Sequence, residues 1–234
     1  MCGIAGIFLF NKREEDNFIR KSVEKMCDQM HHRGPDAYGI WQNDNYDVVL
    51  GHKRLSILDL NSRSNQPMSS VCKRYFIVFN GEIYNFNELR LELEIEEKNF
   101  KTNSDTEVLL KMYIKEGKNM LNKLRGMFAF AIYDQAEEKI FFARDPYGIK
   151  PLYIAKIKNG IIFSSQVKSL LASGLVSKEK DKDGELGFWL LGSVPEPKTW
   201  FKDIKILPSG HFCEYNKVNV NPKSRSYFNI SEVW

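Results

Sequence analysis

The chain has 234 residues, 43% hydrophobic and 27% charged, enough to bury a sizeable core in one large domain or a domain with an appendage, so disorder is not its ground state. Its formal charge of +4 comes from 34 basic and 30 acidic residues mixed along the sequence, which argues against a nucleic-acid-binding surface. The four cysteines, Cys2, Cys27, Cys72 and Cys213, are widely spaced and form no Cys-x-x-Cys pair, so a reduced, cytoplasmic setting is expected. No stretch reaches the roughly 20 apolar residues of a membrane span.

The run Met1-Cys2-Gly3-Ile4-Ala5-Gly6-Ile7-Phe8 reads as a buried first strand rather than a signal peptide, because no basic region precedes it and the charges at Lys12 to Glu15 follow it. Cys2 stands second, so removal of Met1 exposes a thiol and a free α-amine on one residue. The amine, with a reference pKa of roughly 8, can serve as the base that the nucleophile needs. The thiol, at about 8.5, moves toward thiolate beside a positive charge. The plainer alternative is a small buried hydrophobe.

Ile19, Val23, Met26 and Met30 recur at helical spacing and predict an amphipathic helix from Asp16 to Met30, with the methionines in the core. Arg33-Gly34-Pro35-Asp36 then forces a loop. Strands are expected at Tyr38 to Gln42, Asp47 to Gly51 and Arg74 to Phe79, the last stopping at the turn pair Asn80-Gly81, with Lys73-Arg74 as a solvated strand end. Asn85-x-x-Glu88 and Ser104-x-x-Glu107 match reciprocal helix caps, and the second helix should end near Gly117. Met127 to Asp134, Lys139 to Ala143 and Pro151 to Ala155 read as strands, and Asn159-Gly160 turns Leu152 to Ile157 back into Ile161 to Ser164. A helix from Gln166 to Ser173, an exposed charged loop from Ser177 to Gly184, a helix from Glu185 to Leu191, and strands at Ile204 to Leu207 and His211 to Tyr215 follow. The domain is expected over residues 2–216, with 217–234 as a linker. Many strands without alternating crossover helices predict an α+β architecture of antiparallel sheets.

Three segments place polar groups at strand ends or helix starts: His52-Lys53-Arg54-Leu55-Ser56-Ile57, Asn80-Gly81-Glu82-Ile83-Tyr84-Asn85 and Ser104-Asp105-Thr106-Glu107. Together with Met-Cys-Gly-Ile-Ala-Gly-Ile, His32-Arg33-Gly34-Pro35-Asp36, Gly126 to Ala131, Asp145-Pro-Tyr-Gly148-Ile-Lys-Pro151, Phe163-Ser164-Ser165 and Leu207-Pro208-Ser209-Gly210-His211, they carry a resemblance over nearly the whole chain. The chain resembles the glutamine-hydrolysing domain of asparagine synthetases, class II glutamine amidotransferases with the N-terminal-nucleophile hydrolase fold, two antiparallel sheets sandwiched between helix layers (αββα).

The resemblance implies that Cys2 attacks the glutamine carboxamide, giving a thioester, with the side chain of Asn80 and the backbone N–H of Gly81 holding the oxyanion. Arg54 would clamp the substrate carboxylate bidentately and Asp105 its ammonium. Leu55, Ser56, Ile57, Leu58 and Glu82 would add pocket contacts. Taken alone, Arg54 could be a surface strand charge, Asp105 a helix-cap acid and Asn80 a turn residue. No metal site is expected, since the adjacent His31 and His32 cannot share a helix face. His52 and His211 are expected to be structural, Arg33 and Asp36 to brace the loop beside Cys2, and Cys27, Cys72 and Cys213 to pack.

Asparagine synthetases pass the ammonia to a C-terminal synthetase domain that uses ATP and magnesium, and its Ser-Gly-Gly-x-Asp-Ser signature does not occur in these residues. The expected partners are therefore glutamine and that domain, with no cofactor here, no nucleic acid and no membrane, and a homodimer left open. Amidotransferases with another acceptor, such as amidophosphoribosyltransferases and glucosamine-phosphate synthases, usually carry Arg-Gly-Gln where this chain has Arg-Gly-Pro-Asp. A non-catalytic binding module is the remaining alternative.

Overall fold

A computed structural model of the chain describes residues 1–11, 18–94 and 100–232. Its first strand, β1 (Gly3–Leu9), is buried along its whole length. Such a strand needs apolar groups on both faces, which is why its sequence runs on without polar alternation. Ile4 and Phe8 point to one core, and Ala5, Ile7 and Leu9 to another. The same division holds in β6 (Gly126–Asp134), where Ala129, Ala131 and Tyr133 face one side and Phe128, Phe130 and Ile132 the other.

Two six-stranded antiparallel sheets result. The first orders β10 (Ile204–Ile206), β8 (Tyr153–Ile157), β9 (Gly160–Ser164), β1, β3 (Val48–Arg54) and β2 (Ala37–Gln42). The second orders β12 (Arg225–Ser226), β11 (His211–Asn216), β7 (Lys139–Arg144), β6, β5 (Tyr75–Ile83) and β4 (Met68–Ser69). Between them lie Ile4, Phe8, Leu50, Val78, Phe142 and Phe163, with the rings of Phe142 and Phe163 meeting edge to face at 4.9 Å. Trp41 of β2 stacks on Phe76 of β5 at 3.7 Å and ties the two sheets together at one edge.

The outer face of the first sheet is covered by α1 (Phe18–Asp28) and α4 (Val167–Ala172), that of the second by α2 (Phe86–Glu94) and α3 (Asp105–Glu116). The order of layers is αββα, as the resemblance implies. A further helix, α5 (Lys182–Leu191), precedes β10. Among the described residues no helix is long and apolar enough to cross a membrane.

Several sequence expectations are corrected. Asn80-Gly81 is not a turn: β5 continues through it to Ile83, pairing Asn80 with Ala129 and Gly81 with Phe128. A nine-residue partner strand overrides the local turn preference of the pair. Neither capping box closes. Ser104 does accept the Thr106 N–H at 3.0 Å, but the Glu107 carboxylate takes the N–H groups of Lys101 and Thr102 and the Thr102 hydroxyl instead. Asn85 uses its carboxamide on the Lys123 carbonyl and the Arg125 N–H.

Arg74 is not simply solvated but forms a two-pronged pair with Asp134, 2.8 Å at each prong. The charged loop of residues 177–184 is shorter than expected, because Asp181 caps α5 by accepting the Asp183 and Gly184 N–H groups. Cys27 and Cys213 are buried, but Cys72 is exposed beside Ser70, 3.3 Å away. The expected helix start at Asp16 lies outside the described residues. Within the expected linker, Arg225 and Ser226 pair with β11, and the Tyr227 hydroxyl donates to the Arg144 carbonyl at 2.7 Å.

The turn between β7 and β8 is organised by Asp145, which is fully buried. Its Oδ1 accepts from the backbone of Tyr147 and Ile149, and its Oδ2 from Phe128 and Lys150, at 2.9 to 3.3 Å. Asp145→Ala strips four N–H groups of their acceptor in the interior. The expected cost is about 3 kcal/mol of unfolding free energy, read from urea denaturation; a loss below about 1 kcal/mol would show that water replaces the carboxylate.

Candidate active site

The two sheets meet where β1 begins, β3 ends and β5 passes its midpoint. A cavity of about 130 Å³ opens there, lined by Met1, Cys2, Arg54, Asn80, Asp105 and Lys150 among others. Cys2 precedes β1, so pairing of Gly3 with Lys53 fixes its position to within one residue of a central strand. Its Sγ accepts the Leu55 N–H at 3.4 Å and lies 3.7 Å from the Leu55 carbonyl. Arg33 Nε donates to the Cys2 carbonyl at 2.9 Å, and Asp36 accepts the Ser56 N–H at 2.8 Å, so both brace the loops around Cys2. Gly34 lets this loop lie flat on β3: a Cβ there would sit 2.4 Å from the Lys53 carbonyl.

Burial raises the Cys2 thiol pKa, and Asp105 acts in the same direction; the Leu55 N–H, the terminal amine and Arg54 oppose them. With Met1 in place the nitrogen of Cys2 is a peptide nitrogen and cannot act as a base.

Strand alternation explains how β5 faces the cavity. Phe128 of β6 directs its N–H and carbonyl to Asp145, so Gly81 opposite it turns its own polar groups away from β6. Phe79 and Ile83 are oriented in the same way, and their N–H groups go to Gln66 Oε1 at 2.6 Å and Asp105 Oδ2 at 3.0 Å. Gly81 sits between them on that edge, against the cavity. A side chain there would meet the Met127 carbonyl at 2.3 Å, so glycine is required for β5 and β6 to approach.

Asn80 is 1% exposed, and both its Nδ2 and its Oδ1 lack a hydrogen-bond partner among the described residues. An amide left so in the interior costs roughly 1 to 3 kcal/mol, a penalty that a ligand filling the cavity relieves. Behind it, His52 donates Nε2–H to the Phe79 carbonyl at 3.1 Å, and complete burial pushes its pKa down to about 4, so it is neutral.

Arg54 differs from expectation. Its Nη1 donates to the Asn61 carbonyl and Asn65 Oδ1, and its Nη2 to the carbonyls of Leu58 and Asp59, at 2.5 to 3.2 Å. A buried guanidinium requires acceptors for its donors, and this loop supplies them. The fork therefore shapes the loop of residues 55–65 instead of standing open for a carboxylate. Leu55, Ile57, Leu58 and Glu82 line the cavity, whereas Ser56 does not and is held by Asp36.

The residue reading missed Gln66, which joins β5 to α3 by donating to Thr106 Oγ1 at 3.3 Å, and Lys150, a cation on the cavity wall. Lys150 stood within the Asp145-Pro-Tyr-Gly148-Ile-Lys-Pro151 motif of the resemblance, with no role given to it. Among the described residues no group of three or more His, Cys, Asp or Glu side chains is placed to hold a metal.

The sequence model of the glutamine amidotransferase domain matches residues 1–228. The chain belongs to this family. Asparagine synthetase [glutamine-hydrolyzing] 1 of Bacillus subtilis is 38% identical over 233 residues, covering 95% of the chain and 36% of the relative. A putative asparagine synthetase [glutamine-hydrolyzing] of Methanocaldococcus jannaschii is 38% identical over 221 residues, 87% of the chain and 42% of the relative. Amidase chry2 of Gibberella zeae is 36% identical over 93% of the chain and 33% of its own length. The chain thus spans between about a third and two fifths of these relatives. The solved glutamine phosphoribosylpyrophosphate amidotransferase of B. subtilis superposes with a TM-score of 0.67 at 21% identity, over 96% of this chain and 49% of that one. The allosteric regulatory enzyme of purine biosynthesis gives 0.71 at 20%, with the same coverage. The fold is that of the N-terminal-nucleophile amidotransferases.

Burial raises the Asp105 pKa from 3.8 to about 6, against the N–H groups of Ile83 and Thr106, which lower it. A carboxyl that binds its proton more tightly folded than unfolded gains stability as pH falls from above 6 to below 4. Asp105→Asn removes this titration, so the stability of the variant relative to the parent is expected to rise between pH 4 and 7 by on the order of 2 to 3 kcal/mol. Urea unfolding of both proteins across that range checks it, and parallel curves would contradict the assignment.

Proposed function

We propose that this domain hydrolyses glutamine to glutamate and ammonia through a Cys2 thioester, once Met1 has been removed. The observation that carries the reading is the unpartnered Asn80 carboxamide in the cavity that Cys2 and Asp105 also line. Cys2 Sγ attacks the glutamine carboxamide carbon while its own α-amine takes the thiol proton. Asn80 Nδ2 and the Gly81 N–H hold the resulting oxyanion. Collapse expels ammonia with the proton carried by the amine, and water then cleaves the thioester, the amine again serving as base. Asp105 receives the substrate ammonium, whose charge also returns the carboxyl to its ionised form. Arg54 acts on the substrate carboxylate through the loop it organises.

The ammonia is proposed to pass to a synthetase domain that forms asparagine, as the names of the asparagine synthetase relatives suggest, with ATP and magnesium as that domain's proposed cofactors. Partial coverage of those longer relatives supports this, as does α5, where Leu186, Trp189, Leu190 and Leu191 form an apolar patch that a further domain would cover. The amidase relative supports a second reading, in which the acceptor differs and the glutaminase chemistry is unchanged.

Ammonia and glutamate release from the Met1-processed protein is expected to vanish in Cys2→Ala. Asn80→Ala is expected to lower kcat by roughly 10² to 10³. Because it deletes two unpaired polar atoms, it should leave Tm level or raised. A fall in Tm with unchanged kcat would make Asn80 a structural residue instead.

A further inference from the structure

Lys150 is the cation in the cavity that the proposed chemistry leaves unused. Its backbone is clamped on both sides: Asp145 Oδ2 accepts its N–H and Arg144 Nε donates to its carbonyl, each at 2.9 Å. The residue is 4% exposed, and it lines the same cavity as Met1, Cys2 and Asn80. A lysine buried to this degree is normally matched with a carboxylate. Among the described residues Nζ has no ion pair and no hydrogen bond, although its backbone is fully engaged.

Three of the acids around this cluster accept backbone N–H groups. Asp145 holds four backbone N–H groups, Asp36 the Ser56 N–H and Asp105 the Ile83 N–H; Glu82 lies partly exposed on the cavity wall. The other cations, Arg33 and Arg54, are directed to the Cys2 carbonyl and to the loop of residues 58–65. Lys150 is the cationic side chain on this wall with no acceptor to balance it.

We propose that Lys150 is a positioning residue of the Cys2 centre, whose positive charge, unpaired on the cavity wall, keeps the α-amine exposed by Met1 removal neutral and able to accept a proton. The proposal rests on the reading above that this amine is the base. The sign is fixed by Coulomb's law, since a second cation nearby opposes the charging of an amine. In the chain with Met1 present, the terminal amine already lies below its ordinary pKa: burial contributes most, Arg33 and Lys150 add to it, and Cys2 and Asp36 oppose. Lys150 is itself lowered, by burial first and then by Arg33, with Asp145, Cys2 and Glu82 opposing.

The test is the pH profile of kcat/KM for glutamine in the processed protein. Activity rises with pH as the amine loses its proton, so removal of a neighbouring cation moves that acidic limb to higher pH. Lys150→Met is expected to shift it up by about half a unit or more, a roughly threefold or greater loss of kcat/KM at low pH with the upper plateau retained. Lys150→Arg should restore the position of the limb. Should the methionine variant not fold, Lys150→Gln provides the second neutral substitution.

The rate of carbamylation of the N-terminal amine by cyanate, followed against pH by mass spectrometry of the N-terminal peptide, reads the same charge without turnover. If the parent releases no ammonia, the glutaminase reading fails, while the cyanate profile still tests whether Lys150 sets the amine. Superimposable limbs and cyanate profiles for parent and neutral variant would overturn the proposal.

Discussion

The site depends on the confinement of β1. This strand is hydrogen-bonded to β3 on one side and β9 on the other, and its side chains are buried in two cores at once. A one-residue slip would exchange the two sets of side chains and drive Phe8 and Ile4 into the helix layer, so the register is held by packing from both directions. The start of the chain, elsewhere the most mobile part of a domain, is thereby anchored at the end of a central strand. Cys2 inherits that rigidity, and the loops of Arg33 and Leu55 close around it by hydrogen bonds to its carbonyl and sulfur.

Around this anchor the molecule separates polar groups that are satisfied from those that are not. Asp145 and Glu107 are buried acids whose oxygens are taken up by nearby N–H and hydroxyl groups, and they act as internal braces for loops. Asn80, Asp105 and Lys150 are different. One has no partner, one is held above its ordinary pKa by burial, and one is a cation without an anion. Asn80 and Asp105 each become favourable when a ligand brings the complementary group, whereas Lys150 acts on the amine beside it. A zwitterionic amide supplies an ammonium for Asp105 and a developing oxyanion for Asn80, which is the physical content of complementarity to a reacting state.

The misreadings share a cause. Asn80-Gly81 has the composition of a tight turn, Ser104-x-x-Glu107 that of a capping box, and Arg54 that of an open fork. Local preference of this kind amounts to about a kilocalorie, less than what a full partner strand or a set of loop acceptors provides. Glu107 turned to the Lys101 and Thr102 backbone because that loop, unlike the helix end, had donors without partners. Hydrophobic runs such as Ile4 to Phe8 and Met127 to Asp134 are legible in the sequence, since strands buried on both faces leave a continuous apolar signature that no loop shares.

Sequence alone therefore determined the antiparallel α+β architecture through its apolar runs, with the αββα layering implied by resemblance, and the candidate nucleophile through its place at the second position, where chain chemistry and not folding supplies the amine. The residues of the oxyanion and substrate contacts were also legible, as types and by resemblance. Their directions were not. That the Gly81 N–H faces the cavity follows from which side of β6 pairs with Asp145, that Arg54 faces its own loop follows from where acceptors lie, and that Lys150 stands beside Cys2 follows from a turn 148 positions away in the chain. Hydrogen-bond direction and the balance of buried charge are properties of three-dimensional neighbours, and only the tertiary structure decides who those neighbours are.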